Sequence, residues 1–154
     1  MLENTKIPEG LNVEVLEHLM YPRNYGKLEN PSGVGVCLDE KTKEYVIFYI
    51  LLDESTIQDL KFATNGCQDT LVIGSMLSEM LKENAIEYAD VAIEKLYTKL
   101  GKLTQRQRAC AEIVLVALNA ALINVANRNK GIDEELHLLK TQESCFVPTG
   151  ESDV

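Results

Sequence analysis

The sequence predicts an α+β domain in which helices pack on one face of a small three-stranded antiparallel sheet. Strand-like runs come first and helix-like runs follow, an order typical of α+β proteins. A long, almost wholly apolar helical stretch near the C-terminus is expected to be the core helix. With 154 residues, 45% of them hydrophobic, the chain can bury the core of one domain, which we place at residues 1–141.

The first half of the chain contains one predicted helix and three predicted strands. Apolar residues at helical spacing predict a helix over residues 11–20, which a proline ends. The strands are predicted over residues 34–38, 45–52 and 58–64. The middle run is rich in β-branched and aromatic residues, and the last run alternates apolar with charged side chains. A short polar turn joins these two strands, so we expect them to form an antiparallel hairpin.

The second half of the chain is predicted to be helical. Helices are expected over residues 69–82, within 85–100, over 104–127 and over 133–140. Gly101 and Gly131 separate the last three of these helices. Residues 142–154 are mostly polar and are predicted to form a flexible tail.

The charge and composition argue against several classes of function. A net charge of −9 and a pI near 4.7 disfavour nucleic-acid binding, which needs clustered Lys and Arg. No secretory signal is visible in residues 1–11, and the longest apolar stretch, residues 113–126, is shorter than the ~20 residues that cross a bilayer. We therefore expect a cytoplasmic protein without a membrane segment. Its four cysteines are then free thiols or metal ligands rather than disulfides.

Cys37 and Asp39 are the first candidate metal ligands. They are two residues apart on a predicted strand, so both side chains would point to the same face. A sulfur and an oxygen would then be offered to one ion.

Cys67 and Cys110 are two further candidate ligands, each near the start of a predicted helix. The positive end of its helix would favour the thiolate form of Cys67, and Arg106 and Arg108 would do the same for Cys110. A cysteine beside an apolar helix is also commonly a packing residue. Spacing alone therefore leaves open whether the three cysteines meet at one site.

Four motifs, taken in order, resemble the iron–sulfur cluster scaffold family known as IscU, which is also the N-terminal domain of NifU. They are the YPRNYG turn at residues 21–26, the Cys37-Leu38-Asp39 triplet, the FATNGC segment at residues 62–67, and Cys110. The resemblance covers residues 11–127. It implies that Cys37, Cys67 and Cys110 bind a transient 2Fe–2S cluster, with Asp39 at the same site.

The resemblance also implies a non-enzymatic scaffold on which a cluster is assembled and then handed on. The implied partners are a cysteine desulfurase, a source of iron and electrons, and apo acceptor proteins. By family analogy, Cys110 is the first acceptor of persulfide sulfur. A carboxylate is a weaker partner than a thiolate for a soft cluster, so Asp39→Ala is expected to make the cluster more persistent.

The chain departs from the family pattern in four places. Leu38 and Gln68 replace small residues of that pattern. Ala109 stands where the family has His before its third cysteine, and residues 103–107 (LTQRQ) replace the Leu-Pro-Pro-Val-Lys segment that a dedicated chaperone reads in many relatives. A zinc-binding branch, SufU, also lacks that His and accepts sulfur from its desulfurase. The alternative function is therefore a zinc-bound sulfur acceptor that activates a desulfurase. A homodimer that shares the site is left open.

Other side chains are interpreted as structural. His18 is predicted to be a packing or hydrogen-bonded residue. Asp69 is predicted to be a helix cap or a helix-dipole partner, and its position two after Cys67 keeps ligation open. Cys145 is interpreted as a bystander in the tail. Two more classes of function stay open: an enzyme that uses one low-pKa cysteine, and a cluster-free interaction module.

Overall fold

The computed structural model describes residues 13–141. The elements in this range are α1 (Val13–Met20), β1 (Gly33–Asp39), β2 (Tyr45–Asp53), β3 (Thr56–Thr64), α2 (Gln68–Leu81), a 3₁₀ turn (Ile86–Tyr88), α3 (Ala89–Leu100), α4 (Gln105–Asn129) and β4 (His137–Thr141). The three predicted strands and the first four predicted helices are confirmed, with small differences at their ends. The predicted tail, residues 142–154, lies outside the described residues.

The sheet has four strands in the order β3-β2-β1-β4. β1 pairs antiparallel with β2, and β2 pairs antiparallel with β3, whereas β4 lies parallel to β1. The predicted three-stranded antiparallel sheet is therefore wrong, because a fourth strand makes the sheet mixed. The predicted α+β class and the long helix near the C-terminus are confirmed.

The predicted helix over residues 133–140 is also wrong, because His137–Thr141 forms β4. Side chains of this segment alternate between partly buried and exposed, which is the pattern of an edge strand. Pairing with the open edge of β1, where Thr141 lies opposite Asp39, gives hydrogen-bond partners to the backbone of both strands. This tertiary pairing outweighs the local preference of a short segment.

Two glycines in β1 allow α4 to lie directly against the sheet. Alternate residues of β1 face the core, and Gly33 and Gly35 occupy that face. A Cβ atom on Gly35 would overlap the backbone nitrogen of Ala121 and lie 2.5 Å from the carbonyl oxygen of Ala117. Only glycine leaves room for the helix backbone here. The same face of β1 continues to Cys37, so this contact sets the first predicted ligand beside α4.

α4 is the core helix of the domain. By length and composition it could span a membrane, but 61% of its most apolar stretch is buried within the protein. Its first turn is closed by a capping box, in which the Gln107 N–H donates to Oγ1 of Thr104 (3.1 Å) and the Thr104 N–H donates to Oε1 of Gln107 (3.0 Å). The LTQRQ segment, which departs from the family pattern, therefore forms the start of this helix.

Candidate metal centre

The YPRNYG turn follows α1 and is anchored to the end of β3. The Phe62 N–H donates to the carbonyl of Asn24 (3.0 Å), and the Gly26 N–H donates to the carbonyl of Phe62 (2.8 Å). The hydroxyl of Tyr25 donates to the carbonyl of Thr64 (2.9 Å). The turn therefore fixes the last residues of β3, which lead directly into α2.

Cys67 is the N-cap residue of α2. Its backbone is extended, with φ −76° and ψ 178°, and its thiol is free and partly exposed. The turn that precedes it is held by a hydrogen bond from the Gly66 N–H to Oγ1 of Thr64 (2.9 Å). A sulfur at this position lies beside the N–H groups of the first helical turn, which favour negative charge.

Cys110 lies in the second turn of α4 and is fully buried. Its Sγ atom is 3.4 Å from the Sγ atom of Cys67, although 43 residues separate the two along the chain. The N-terminal ends of α2 and α4 therefore meet, and the sulfur atoms of two of the three predicted ligands come together. Cys110 is nevertheless disulfide-bonded, so the expectation that every cysteine is a free thiol or a metal ligand is wrong for this residue.

Asp69 joins these two cysteines in the structure. One carboxylate oxygen of Asp69 and the Sγ atoms of Cys67 and Cys110 all lie within 4.8 Å of one another. The sequence favoured a helix cap or a helix-dipole partner for Asp69. The N-cap position belongs to Cys67, and Asp69 lies in the first turn of α2, which is the position of a dipole partner. The only signal for a site role was the spacing of two residues after Cys67.

The other two predicted ligands lie on the buried face of β1. Cys37 and Asp39 are both fully buried, which confirms that they share one face of the strand. Oδ1 of Asp39 accepts hydrogen bonds from the N–H groups of Lys41 (2.8 Å) and Thr42 (3.3 Å). Oδ2 of Asp39 is buried and has no hydrogen-bond partner among residues 13–141. The turn after β1 therefore provides hydrogen bonds to only one of the two oxygens of this carboxylate, Oδ1.

The environment of Cys37 favours a protonated thiol. Burial, followed by the nearby charges of Asp39 and Glu112, raises the pKa of Cys37 to about 12. Within residues 13–141, neither Cys37 nor Asp39 belongs to a group of three ligand atoms that lie within 4.8 Å of one another. The structure thus groups Cys67 and Cys110 with Asp69, and the pair on β1 lies outside this group.

Arg106 is a cationic neighbour of Cys67. A hydrogen bond to the Cys67 sulfur is the largest of the interactions that raise the pKa of Arg106, and the charge of Asp69 adds to it. Arg108 instead donates from Nη1 to the carbonyl of Leu103 (3.1 Å). Sequence spacing pairs both arginines with Cys110, whereas in the structure one contacts Cys67 and the other supports the start of α4.

Both histidines have roles away from these ligands. His18 is buried, with Nδ1 2.6 Å from Oγ of Ser75 and Nε2 3.2 Å from Oε1 of Glu79, which confirms its predicted hydrogen-bonded role. His137 is the first residue of β4, at the opposite end of that strand from the pairing with Asp39. The donor atoms of the group formed by Cys67, Asp69 and Cys110 are therefore sulfur and oxygen, whereas His18 belongs to a separate group with Glu14 and Glu79.

Known proteins similar in sequence cover most of the chain. The family described as "NifU-like N terminal domain" matches residues 11–131. Two proteins of Archaeoglobus fulgidus, named iron–sulfur cluster assembly scaffold proteins IscU 1 and IscU 2, are each 32% identical over 141 residues, which is 91% of this chain and 92% of each relative. An Aquifex aeolicus protein, named iron–sulfur cluster assembly scaffold protein IscU, is 31% identical over 126 residues, 80% of each chain.

Solved structures share the fold. A nitrogen-fixing NifU-like protein (N-terminal) from Brucella abortus aligns with a TM-score of 0.59 at 13% identity, over 76% of this chain and 94% of that chain. A protein from Fervidobacterium islandicum, described as a cluster assembly scaffold for the SUF system, aligns with a TM-score of 0.59 at 16% identity, over 73% of this chain and 96% of that chain. At these identities the likeness supports the fold alone.

Proposed function

We propose that this chain, which belongs to the NifU-like N-terminal domain family, is a scaffold protein that assembles iron–sulfur cargo and passes it on. The observation that carries the proposal is the 3.4 Å separation between the sulfur atoms of Cys67 and Cys110. Relatives that match most of the chain are named as iron–sulfur cluster assembly scaffolds. A carrier role, rather than an enzymatic one, is in keeping with those names.

In this proposal the cargo is a 2Fe–2S cluster held by Cys37, Cys67 and Cys110 as thiolates, with Asp39 supplying an oxygen. Thiolates are the usual protein ligands of iron–sulfur clusters. Within the described part of the chain, the buried Oδ2 atom of Asp39 has no hydrogen-bond partner, and a bound cation would offset the cost of leaving it unpaired. Because the raised pKa of Cys37 favours its thiol form, binding of the cargo must displace a proton there.

Sulfur would arrive from a cysteine desulfurase as a persulfide. A thiolate of this chain bonds to the terminal sulfur, the S–S bond of the donor breaks, and the donor cysteine leaves as a thiolate. Cys110 is the acceptor by family analogy, but it is fully buried, whereas Cys67 is partly exposed. Cys67 therefore offers the more accessible sulfur, and Cys110 the more protected one.

The remaining partners follow from the chemistry of the cargo. Sulfur received as a persulfide must be reduced to sulfide before it enters a cluster, so the scaffold needs a separate source of electrons and a source of iron. A completed cluster is then handed to apo acceptor proteins. We place this activity in the cytoplasm.

Anaerobic reconstitution tests the scaffold function. Protein with fully reduced thiols is supplied with iron and sulfide, and bound iron, zinc and acid-labile sulfide are measured together with the visible spectrum. We expect equal amounts of iron and sulfide, with sulfur-to-iron charge-transfer bands. Cys67→Ser and Cys110→Ser should lose these bands, and Cys145→Ser serves as the cysteine control that keeps them. Absence of any bound metal would contradict the proposal.

A zinc-bound sulfur acceptor is the second candidate function. Ala109 replaces the family His, and the group formed by Cys67, Asp69 and Cys110 offers sulfur and oxygen donors that also suit zinc. One zinc ion per chain that excess iron does not displace would favour this candidate and would contradict the cluster scaffold.

A further inference from the structure

We propose that Glu14, His18 and Glu79 form a second metal site, which binds one divalent transition-metal ion, such as Mn²⁺ or Fe²⁺, through nitrogen and oxygen. The site contains no cysteine, so the proposal goes beyond the scaffold function and does not depend on it. Glu79 lies near the C-terminal end of α2, whereas Cys67 is the N-cap of the same helix. At a rise of about 1.5 Å per residue, these two positions are about 18 Å apart along the helix axis.

The helices α1 and α2 bring the three donor atoms together. Glu14 and His18 are four residues apart on α1, so they lie on one face of that helix. The ligand atoms of Glu14, His18 and Glu79 all lie within 4.8 Å of one another. Nε2 of His18 is 3.2 Å from Oε1 of Glu79. Two donors that each lie about 2.1 Å from one octahedral or tetrahedral ion are about 3.0–3.4 Å apart, so this pair already has the spacing of two ligands.

A hydrogen bond fixes the imidazole of His18 so that Nε2 faces the carboxylates. Nδ1 of His18 is 2.6 Å from Oγ of Ser75, and the backbone N–H of Arg23 donates to the same oxygen (2.8 Å). Both His18 and Ser75 are buried. Histidines that bind metals usually form a hydrogen bond through the other ring nitrogen, and that bond orients the ring. The contact with Ser75 therefore leaves Nε2 as the ligand atom of an oriented imidazole.

The site opens to solvent on the side of its carboxylates. The side chain of His18 is 2% exposed, whereas those of Glu14 and Glu79 are 38% and 51% exposed. A buried nitrogen thus forms the floor of the site, and two carboxylates form its rim. An ion can enter from the rim, and water molecules can complete a coordination shell that three protein ligands leave open.

Two cationic side chains already contact these carboxylates and would compete with a metal. Nζ of Lys99 lies 2.9 Å from Oε1 and 3.0 Å from Oε2 of Glu14. Nε of Arg23 is 3.7 Å from Oε2 of Glu79, the oxygen that does not face His18. Glu79 can therefore keep its ion pair and still offer Oε1 to an ion. Lys99 contacts both oxygens of Glu14, so it must release at least one of them when a metal binds.

A purely structural role for the same contacts makes a different prediction. In that case Nε2 of His18 donates a proton to a hydrogen bond with Glu79, and the contacts hold the helices together whatever metal is present. Glu17 provides a control carboxylate, because it lies on α1 but does not belong to the group of three ligands. Lys95 provides a control amine, because it lies on the same helix as Lys99 and bonds to a tyrosine hydroxyl instead.

Titration of the metal-free protein with Mn²⁺ tests the proposal, because this ion prefers oxygen and nitrogen ligands to thiolates. The EPR signal of the free ion measures its affinity. Paramagnetic broadening of the imidazole NMR signals shows which histidine lies beside the bound ion. The chain has two histidines, so His137 serves as an internal control. We expect one Mn²⁺ ion per chain, which broadens the signals of His18 and not those of His137.

Variants at the rim of the site test each ligand. Loss of an outer-shell partner typically weakens metal binding by about 10–100-fold, so loss of a ligand in Glu14→Gln or Glu79→Gln should weaken Mn²⁺ binding by about 10-fold or more. Glu17→Gln should bind nearly as wild type does. Lys99→Gln should bind Mn²⁺ more tightly, because no amine competes for Glu14, whereas Lys95→Gln should match wild type.

Several outcomes would overturn the proposal. They are absence of Mn²⁺ binding up to millimolar concentrations, broadening of His137 alone, and equal weakening in Glu17→Gln and Glu79→Gln. Unchanged or weaker binding in Lys99→Gln would overturn it as well. Loss of Mn²⁺ binding in Cys67→Ser would place the ion at the cysteines instead. None of these results bears on the scaffold function, which cluster reconstitution tests separately. Thermal melting curves recorded without metal establish that each variant is folded.

Discussion

The Sγ atoms of Cys67 and Cys110 lie 3.4 Å apart, yet the two side chains differ sharply in exposure. Cys67 is partly exposed at the N-cap of α2, whereas Cys110 is fully buried in α4. Two thiolates that share one tetrahedral zinc ion, each about 2.3 Å from the metal, are separated by a similar distance. The pair is therefore close to the arrangement that a shared metal needs, with one sulfur facing solvent and the other facing the core.

This difference in exposure predicts the order of thiol alkylation. In reduced apo protein, iodoacetamide should modify Cys67 well before Cys37, because Cys37 is fully buried and its pKa is raised to about 12. Saturation with Zn²⁺ should protect Cys67, since a metal-bound thiolate is a poor nucleophile. Peptide mass spectrometry after timed quenching measures the rate at each cysteine.

Cys110→Ser provides the control for protection by metal. If Zn²⁺ protects Cys67 by binding both sulfurs, the protection should weaken when Cys110 is replaced. Protection that is undiminished in Cys110→Ser would show that the two sulfurs do not share the ion. Faster alkylation of Cys37 than of Cys67 would contradict the burial on which the prediction depends.

Asp39→Asn tests the oxygen ligand while preserving the turn after β1. Oδ1 of Asp39 accepts the N–H groups of Lys41 and Thr42, so Asp39→Ala would remove both hydrogen bonds together with the charge. Asparagine keeps an acceptor oxygen for these bonds but loses the anionic character of the group. We expect the reconstituted cluster to persist longer in Asp39→Asn than in wild type, because a weak oxygen ligand no longer promotes its release.

The decay of the visible bands in the presence of a chelator measures this persistence. Asp39→Ala should show the same direction of change with a lower melting temperature, because its turn has lost two hydrogen bonds. A cluster that decays faster in Asp39→Asn than in wild type would contradict the role assigned to Asp39.

Local patterns in the sequence predicted most of the fold. The prediction of a helix where the structure has β4 was wrong for a physical reason. The sequences of β1, β2 and β3 themselves indicate strands, through alternating side-chain polarity or a high content of β-branched residues. His137–Thr141 is only five residues long and exists as a strand because the open edge of β1 accepts it. A parallel pairing between residues this far apart depends on the path of α4, which local sequence patterns do not report.

The candidate site was predictable only in part, for a related reason. The spacing of Cys37 and Asp39 predicted a shared face because strand periodicity is local. The grouping of Asp69 with Cys67 and Cys110 depends on the meeting of two helix ends, which is a tertiary contact. Asp69 also resembles a helix cap in sequence, and only the structure shows that Cys67 occupies the N-cap position.

Gly35→Ala should destabilise the domain strongly, because the new Cβ atom would overlap the backbone of α4 at Ala121. Overpacking in a core typically costs about 1–3 kcal/mol. The backbone of α4 cannot move aside as a flexible side chain can. We therefore expect a loss of about 3 kcal/mol or more in the free energy of unfolding. Urea denaturation of the reduced apo protein measures it.

Val36→Ala is the matched control for Gly35→Ala. Val36 is the next residue of β1 and lies on its opposite, partly exposed face. The Val36→Ala variant should lose less free energy of unfolding than Gly35→Ala, because it displaces no atom of α4. Equal losses in the two variants would contradict the close approach of β1 and α4.

The carboxylate of Glu134 connects the end of α4 to the start of β4. Its Oε1 accepts hydrogen bonds from Nδ2 of Asn124 (2.9 Å) and Nδ2 of Asn127 (3.0 Å), and its Oε2 lies 3.0 Å from Nδ1 of His137. The amide of Asn124 also reaches β1, where its Oδ1 accepts the N–H of Val34 (2.9 Å). The hydrogen bonds from Asn127, Asn124 and His137 together lower the pKa of Glu134 to about 2.

This lowered pKa predicts an acid-dependent loss of stability. The folded state favours the charged form of Glu134, so its contribution is fully present above the ordinary pKa of 4.5 and is lost as the pH falls from about 4.5 to about 2. Glu134→Gln cannot titrate and should show a shallower fall of unfolding free energy across this range. Glu135→Gln is the control, because only the backbone carbonyl of Glu135 bonds to Arg128. Urea melts at closely spaced pH values measure the slope, and parallel slopes for wild type and Glu134→Gln would contradict the prediction.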